Sequence, residues 1–178
     1  MHLDGARVLN AAAALDVKPD RITGAFETTT LCFSKGLGAP VGSIVAGRKD
    51  FIGRCRRFRK MYGGGMRQAG FIAAAARYAL EHHVGRLAED HEHARVLAEG
   101  IEANQHLQLV YGMPQTNIVF FTCRHPRLTA EHLVAELAKR GILVGGPGAY
   151  GLRAVTHLNV DRQGIEKAIA ALNEVLAS

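Results

Sequence analysis

Residues 28–43 read TTTLCFSKGLGAPVGS, and Lys35 is the single charged side chain in this stretch. The β-branched and apolar run before Lys35 predicts a strand over residues 30–34, and GSIVAG at 42–47 predicts a second strand. The glycines that directly follow Lys35 predict a tight turn between these strands. An ammonium group at the end of an apolar strand is poorly placed for solubility, so we interpret Lys35 as a residue held for chemistry.

A candidate carboxylate lies upstream of this stretch. HLDGARVLNAAA at residues 2–13 has the pattern of a strand end that delivers Asp4 to a site, followed by a helix. Arg7 follows Asp4 by three residues. A strand at this position needs further strands beside it, so we expect part of the sheet to lie outside these residues.

A basic segment follows the second predicted strand. RKDFIGRCRRFRK at residues 48–60 contains seven basic residues and one acid. It can bind a phosphate, an acidic partner or nucleic acid, or it can be the solvated face of a helix. Its apolar residues recur at helical spacing, and they are Phe51, Ile52, Cys55 and Phe58. This spacing predicts one amphipathic helix, which ends at YGGGM.

Helices and strands in the rest of the chain predict an α/β protein with two parts. A helix is predicted from about Arg67 through the alanine-rich segment to residue 83, and another carries an apolar stripe from Val84 to Ile101. After residue 104 short strands alternate with helices, with predicted strands in LQLVY, NIVFFTC, ILVGG and RAVTHL. Thr129 and Asp161 are the predicted starts of the last two helices. We therefore predict one domain over 1–104 and a small αβ domain over 105–178.

Composition excludes several classes of protein. The 178 residues are 48% hydrophobic and 21% charged, which is typical of a globular protein, and no apolar run is long enough to cross a bilayer. The three cysteines form no metal-type spacing, and we expect reduced thiols and no metal site. The histidines of EHH and DHEH are expected to be solvated or hydrogen-bonded. We expect a cytoplasmic protein without nucleic-acid or membrane partners.

Six segments together carry a resemblance to a known family. In order and at matching intervals, the chain resembles the C-terminal half of the low-specificity L-threonine aldolases, which are fold-type-I enzymes that depend on pyridoxal 5′-phosphate. The resemblance covers essentially all 178 residues. The segments are HLDGAR, SKGLGAPVGS, RKMYGGGMRQAG, AEDHEHA, TNIVFF and VTHLNVD.

The resemblance implies a role for each candidate residue. It implies that Lys35 forms the Schiff base with the cofactor, that Asp4 pairs with the pyridinium nitrogen, and that Arg7 approaches the phenolic oxygen. The chemistry agrees, because an amine that is partly desolvated among positive charges can attack an aldehyde. Lys60 and Arg67 are implied to reach a cofactor phosphate, and Arg153 to bind the substrate carboxylate.

The implied fold is that of the fold-type-I transferases, with residues 1–104 as the C-terminal part of the large cofactor-binding domain. The implied reaction is cleavage of L-threonine or a similar β-hydroxy-α-amino acid to glycine and an aldehyde. Sharing of cofactor sites between subunits implies a homo-oligomer, a dimer or tetramer, or association with a separate N-terminal half.

Three alternatives stay open at this point. The chain can be another β-eliminating lyase of the same fold, or a non-catalytic module that assembles with a longer homologue. Nucleic-acid binding through residues 48–60 is a third hypothesis, but phosphate binding accounts for the same basic residues. Without the first half of the family's fold, we expect exposed strand edges and an exposed apolar helix face.

Overall fold

The structure is a computed structural model that describes residues 1–177. The chain divides into two compact units, Met1–Leu87 and Ala88–Ser178. The elements of the first unit are β1 (His2–Asp4), α1 (Val8–Ala14), α2 (Pro19–Thr23), β2 (Thr28–Cys32), β3 (Ser43–Gly47), α3 (Lys49–Met61) and α4 (Gly70–His82). Helix α5 (Leu87–Glu102) begins at the last residue of the first unit and otherwise lies in the second unit. The other elements of the second unit are β4 (Leu107–Leu109), β5 (Ile118–Cys123), α6 (Ala130–Lys139), β6 (Gly145–Gly148), β7 (Gly151–Val155) and α7 (Arg162–Leu176).

The first unit is built on a three-stranded sheet in the order β1-β2-β3. β1 pairs in parallel with β2, and β3 returns antiparallel along the other side of β2. The predicted strands on either side of Lys35 are therefore confirmed. Helix α1 packs on this sheet through Val8 and Leu9, which form a buried cluster with Phe33, Leu37 and other residues.

The second unit is built on a four-stranded sheet in the order β4-β5-β7-β6. Its three β-pairings are antiparallel. Apolar residues of α5, α6 and α7 bury against this sheet in one cluster, which includes Ile101, Phe121, Leu133 and Leu172. The apolar stripe predicted for α5 explains this, because Ala94, Ala98 and Ile101 are each fully buried in this cluster.

The contacts divide the chain earlier than the predicted boundary at residue 104. The prediction assigns α5 to the first part of the chain. In the structure, Ala94, Leu97 and Ile101 of α5 belong to the same core cluster as Phe121 of β5. Helix α5 therefore belongs to the second unit.

Local signals predict the last helices well and one strand poorly. Thr129 Oγ1 accepts a hydrogen bond from the His132 N–H at 3.2 Å, and Asp161 Oδ1 accepts one from the Gly164 N–H at 2.7 Å, so both predicted caps are confirmed. The strand predicted in ILVGG, residues 142–146, begins three residues later in the structure. The strand is Gly145–Gly148, because Ile142 and Val144 pack their side chains against the core before the chain pairs with β7.

Among residues 1–177, no helix combines the length and the apolar content that crossing a membrane requires.

Candidate active site

The candidate site lies at one edge of the first unit's sheet. β1 and β2 are parallel, with Asp4 opposite Thr30, so the carboxyl ends of both strands meet at this edge. Asp4 is the last residue of β1, and Lys35 follows the last residue of β2, Cys32, by three positions. Ligands of open α/β sheets bind outside the carboxyl ends of parallel strands. The fold therefore places a carboxylate and an amine at the edge that such sheets use for ligands.

The Asp4 carboxylate is exposed, and hydrogen bonds fix its position. Its Oδ1 accepts a hydrogen bond from the Ala6 N–H at 3.2 Å and one from the Thr30 hydroxyl at 3.4 Å. The first contact holds the turn that leaves β1, and the second joins β1 to β2. The carboxylate is thus oriented by both strands of the parallel pair.

Lys35 lies in a turn whose backbone is held by its own hydrogen bonds. We call residues 33–42 the lysine loop. The Phe33 N–H donates to the Gly42 carbonyl, the Ala39 N–H to the Phe33 carbonyl, and the Gly38 N–H to the Lys35 carbonyl, each at 2.9 Å. Gly38 has φ +69°, a conformation that glycine adopts without strain. The prediction of a glycine turn after Lys35 is confirmed.

The expected desolvation of Lys35 is wrong for this chain, because its side chain is exposed. The turn explains this result. Gly36 and Leu37 take the buried positions of the lysine loop, and Leu37 is only 3% exposed. Lys35 is therefore an accessible amine on a loop that is anchored by its neighbours.

Arg7 completes the HLDGAR segment at the same edge. It is half-buried and lies at the N-cap position of α1, directly after the turn that Asp4 holds. The segment thus contributes one anionic side chain, that of Asp4, and one cationic side chain, that of Arg7, from adjacent turns. Its first residue is also fixed, since His2 Nδ1 lies 2.8 Å from the Thr28 hydroxyl.

The basic segment forms one helix, α3, as its apolar spacing predicts, and this helix lies beside β3. The Gly47 end of β3 lies against Phe51, and Arg59 lines a groove of about 480 Å³ together with Ser43, at the other end of the strand. Helix α3 therefore runs antiparallel to β3, toward the edge that carries Asp4 and Lys35. Its basic residues are exposed, including Lys60.

The triple glycine ends α3 and folds back on it. The Gly63 N–H donates to the Lys60 carbonyl at 3.2 Å, and Gly63 has φ +76°. Arg67 lies in the following loop and is exposed. The predicted roles of Lys60 and Arg67 toward a phosphate stay predictions.

Arg153 lies in the second unit. It is exposed on β7, opposite Phe120 of β5 and Gly145 of β6. It projects from a strand that is paired on both sides, so its backbone position is fixed. Its assignment to the substrate carboxylate stays a prediction.

Two contacts near the site escape sequence reasoning. Thr30 orients Asp4, and His83 Nδ1 lies 2.6 Å from the Leu37 carbonyl in the lysine loop. The threonine run signals a strand but not which hydroxyl faces Asp4. The EHH segment signals a polar helix end, and its half-buried histidine is hydrogen-bonded, as expected for such residues.

Comparisons with known proteins show the family of the chain. The family model described as beta-eliminating lyase matches residues 1–125. The chain is 40% identical over 178 residues to the low-specificity L-threonine aldolase of Escherichia coli K12, and 36% identical over 177 residues to low-specificity L-threonine aldolase 1 of Arabidopsis thaliana. It covers 51% and 49% of these two proteins, and each alignment includes 99% of this chain.

A solved structure shares the fold. The threonine aldolase of Leishmania major superposes with a TM-score of 0.72 at 17% identity, over 98% of this chain and 51% of the Leishmania chain. The chain thus spans about half the length of the relatives that it matches.

The fold and the family model together define the class. The predicted architecture is confirmed: this is an α/β protein with the fold of type-I pyridoxal-phosphate enzymes, over about half of that fold. The chain belongs to the beta-eliminating lyase family, and the curated relatives at 36–40% identity include low-specificity threonine aldolases.

Residues of the first unit fit the cofactor of this family. Pyridoxal 5′-phosphate needs an amine for its aldehyde, a carboxylate for its ring nitrogen and cations for its phosphate. The carboxyl edge of β1 and β2 offers the first two through Lys35 and Asp4. Arg7 adds a cation there, and α3 directs a basic end toward the same edge.

Proposed function

We infer that this chain contributes the lysine-bearing part of a pyridoxal-phosphate-dependent lyase that cleaves β-hydroxy-α-amino acids to glycine and an aldehyde. The observation that carries the inference is the position of Asp4 and Lys35 at the carboxyl ends of two neighbouring parallel strands. The names of the relatives, low-specificity L-threonine aldolase, support L-threonine and L-allo-threonine as substrates.

The site residues divide the work of holding the cofactor. When bound, pyridoxal 5′-phosphate supplies an aldehyde that condenses with amines and a ring that takes up the electron pair of a broken Cα–Cβ bond. Lys35 would hold it through its amine, and the exposed position of Lys35 leaves that amine open to exchange with an incoming substrate amine. Asp4 would keep a proton on the ring nitrogen, and Arg7 would donate to the phenolic oxygen.

Charge placement supports a role for the remaining basic residues. Arg153 would bind the substrate carboxylate and so orient the Cα–Cβ bond. A guanidinium suits this task, because its two parallel N–H groups match a carboxylate. Lys60 and Arg67 would contribute positive charge to the cofactor phosphate of a neighbouring subunit.

A cofactor phosphate bound by residues of a neighbouring subunit requires an assembly of subunits. We propose a homo-oligomer, a dimer or tetramer, in the cytoplasm, or an assembly with a polypeptide that supplies the first half of the family's fold. The half-buried free thiols Cys32, Cys55 and Cys123 are compatible with a reducing compartment.

A substrate panel tests the proposed reaction. The purified chain, with and without a co-expressed first half of a relative, is supplied with pyridoxal 5′-phosphate and with threonine, allo-threonine, serine or phenylserine. Glycine release that disappears in Lys35→Ala is the expected result. Cofactor uptake without glycine release from any member of the panel would overturn the aldolase assignment and favour another β-eliminating lyase.

One observation favours a second candidate function, an assembly module without its own activity. All five residues of β3 are exposed, and Phe71 of α4 is 90% exposed. Such a surface suits association with a longer homologue. Co-purification with that homologue, together with no glycine release by the chain alone, is the result that this candidate predicts. A monodisperse, active homo-oligomer of this chain would contradict it.

A further inference from the structure

The side chain of His83, which lies outside the lysine loop, is close enough to hydrogen-bond to the loop's backbone. Its Nδ1 lies 2.6 Å from the Leu37 carbonyl oxygen, across 46 residues of sequence. Leu37 is two residues after Lys35, within the turn closed by the Gly38 N–H and the Lys35 carbonyl. This contact therefore fixes the backbone that carries the candidate Schiff-base lysine.

The chemistry of the contact assigns the proton. A carbonyl oxygen only accepts, so Nδ1 of His83 must carry the hydrogen and donate it. Both the neutral ring protonated at Nδ1 and the doubly protonated ring can do this. The ring protonated only at Nε2 cannot, because two lone pairs would then face each other at 2.6 Å.

Both ends of the contact are rigid. His83 caps the end of α4, where its N–H donates to the Ala79 carbonyl at 2.9 Å, and the Tyr78 ring meets the His83 ring edge-on at 5.5 Å. Ala79 is 1% exposed and Leu37 is 3% exposed. A hydrogen bond between two anchored groups limits movement of the loop more than one between mobile groups.

We propose that His83 is a positioning residue for Lys35: its Nδ1–H holds the Leu37 carbonyl and thereby sets where the Lys35 amine stands. The proposal deepens the proposed function and rests on it for the role of Lys35. The contact itself stands independently of any cofactor.

Three variants separate the hydrogen bond from other effects of the substitution. His83→Ala removes the donor. His83→Asn restores one, because the Asn amide nitrogen lies the same number of bonds from Cα as Nδ1 of histidine. His82→Ala is the matched control, since His82 is an exposed neighbour whose ring contacts the Tyr78 ring at 4.2 Å between centroids.

Amide exchange tests the contact without any cofactor. We expect the Gly38 and Ala39 amides to exchange about five-fold faster in His83→Ala, since one net hydrogen bond is lost. His83→Asn and His82→Ala should stay within about two-fold of the unmodified chain. Equal exchange in His83→Ala and the unmodified chain, or no rescue in His83→Asn, would overturn the proposal.

Two ligands then test whether the contact acts through Lys35. Pyridoxal 5′-phosphate bonds to the amine, whereas 4-deoxypyridoxine 5′-phosphate lacks the aldehyde and reports the rest of the site. His83→Ala should weaken binding of the first about five-fold and leave the second unchanged. Equal weakening of both, accompanied by a lower melting temperature, would assign His83 a structural role only. If the unmodified chain binds neither compound, the proposed function fails. Amide exchange still tests whether His83 holds the lysine loop through its hydrogen bond.

Discussion

At the scale of single residues, Gly36 decides how closely the lysine loop approaches the rest of the first unit. A Cβ atom at this position would lie 2.9 Å from Asn10 Oδ1 and 3.2 Å from Leu87 Cδ2. Both neighbours are buried and cannot easily move, since Asn10 is 3% exposed and Leu87 is fully buried. The glycine next to Lys35 is therefore required by close packing.

Gly36→Ala should destabilise the chain by about 1–3 kcal/mol, because the added methyl group overpacks this contact. Gly53→Ala is the matched control. Gly53 lies in α3 with no atom within 4 Å of its Cβ position, so alanine should stabilise the helix by about 0.5–1 kcal/mol. Urea unfolding of both variants measures the two free energies. A change in the free energy of unfolding that has the same sign in both variants would contradict this account of Gly36.

His125 makes the stability of the second unit depend on pH. Its Nδ1 accepts hydrogen bonds from the Arg127 N–H at 3.2 Å and the Leu128 N–H at 3.1 Å. Desolvation lowers the pKa of His125 from its ordinary value of 6.5, and the charges of His106 and Arg127 lower it further. Protonated Nδ1 could no longer accept either hydrogen bond.

The sign of the pH dependence follows from the lowered pKa of His125. As pH falls below 6.5, His125 of the unfolded chain takes up a proton before His125 of the folded chain, so stability declines until the folded pKa is passed. In His125→Asn this decline should be smaller, because the Asn side-chain oxygen accepts the same N–H groups at every pH. Urea unfolding between about pH 7.5 and pH 5 measures it. Parallel curves for the two proteins would contradict the prediction.

At the scale of elements, buried polar residues join α5 to the second sheet. The Thr156 hydroxyl donates to the Asp90 carbonyl of α5 at 2.6 Å, and the Asn117 amide donates to the Thr156 carbonyl at 2.8 Å. Asn117 and Thr156 are each 1% exposed. The TNIVFF and VTHLNVD segments of the sequence thus have a structural explanation.

Thr156→Val should destabilise the chain by about 1–3 kcal/mol, because it removes the hydroxyl that donates a hydrogen bond to the buried Asp90 carbonyl. Thr122→Val is the control on the same sheet, since Thr122 lies half-buried on β5 and the shape change is identical. It should change stability by less than about 0.5 kcal/mol. Thermal unfolding of both variants compares them, and equal losses would refute a specific role for the hydroxyl.

Elements could be predicted where the signal is local. The caps Thr129 and Asp161, the glycine stop after α3 and the apolar stripe of α5 each depend on residues within a few positions. The bounds of the strand Gly145–Gly148 could not be predicted, because three of its four residues are glycines and its pairing with β7 is set by the sheet.

At the scale of the whole molecule, the first unit presents an open surface. Among the described residues, β1 and β3 are the outer strands of its sheet. Large apolar side chains are exposed on the segments that follow β3, with Tyr62 at 85% and Phe71 at 90%. The expected exposure of strand edges and of an apolar helix face is confirmed, and such surfaces associate with other chains.

Self-association of the chain should therefore depend on this surface. Phe71→Ser should weaken association about ten-fold or more, since burial of a phenylalanine contributes about 1.5–3 kcal/mol. Leu143→Ser is the control, because Leu143 is 86% exposed but lies in the second unit. Analytical ultracentrifugation measures both association constants. Equal effects would show that association is non-specific.

Contacts between distant residues mark the limit of sequence reasoning. Asp4 and Lys35 could be proposed for one site from the sequence, because the family resemblance implies it and each lies at or just after a predicted strand end. The contacts of His83 with Leu37 and of Thr156 with Asp90 join residues 46 and 66 positions apart. Neither residue type nor spacing predicts such pairs, and the division of the chain at Leu87 depends on the same kind of contact.

The central claim is that this chain holds pyridoxal 5′-phosphate through Lys35, and one measurement tests it most directly. The purified chain is mixed with the cofactor, its visible spectrum is recorded, and borohydride is added before the modified peptide is identified. We expect a visible absorption band and a reduced adduct on the peptide that contains Lys35, both absent in Lys35→Ala. No adduct, or an adduct spread equally over Lys60 and the other lysines and unchanged in Lys35→Ala, would contradict the account.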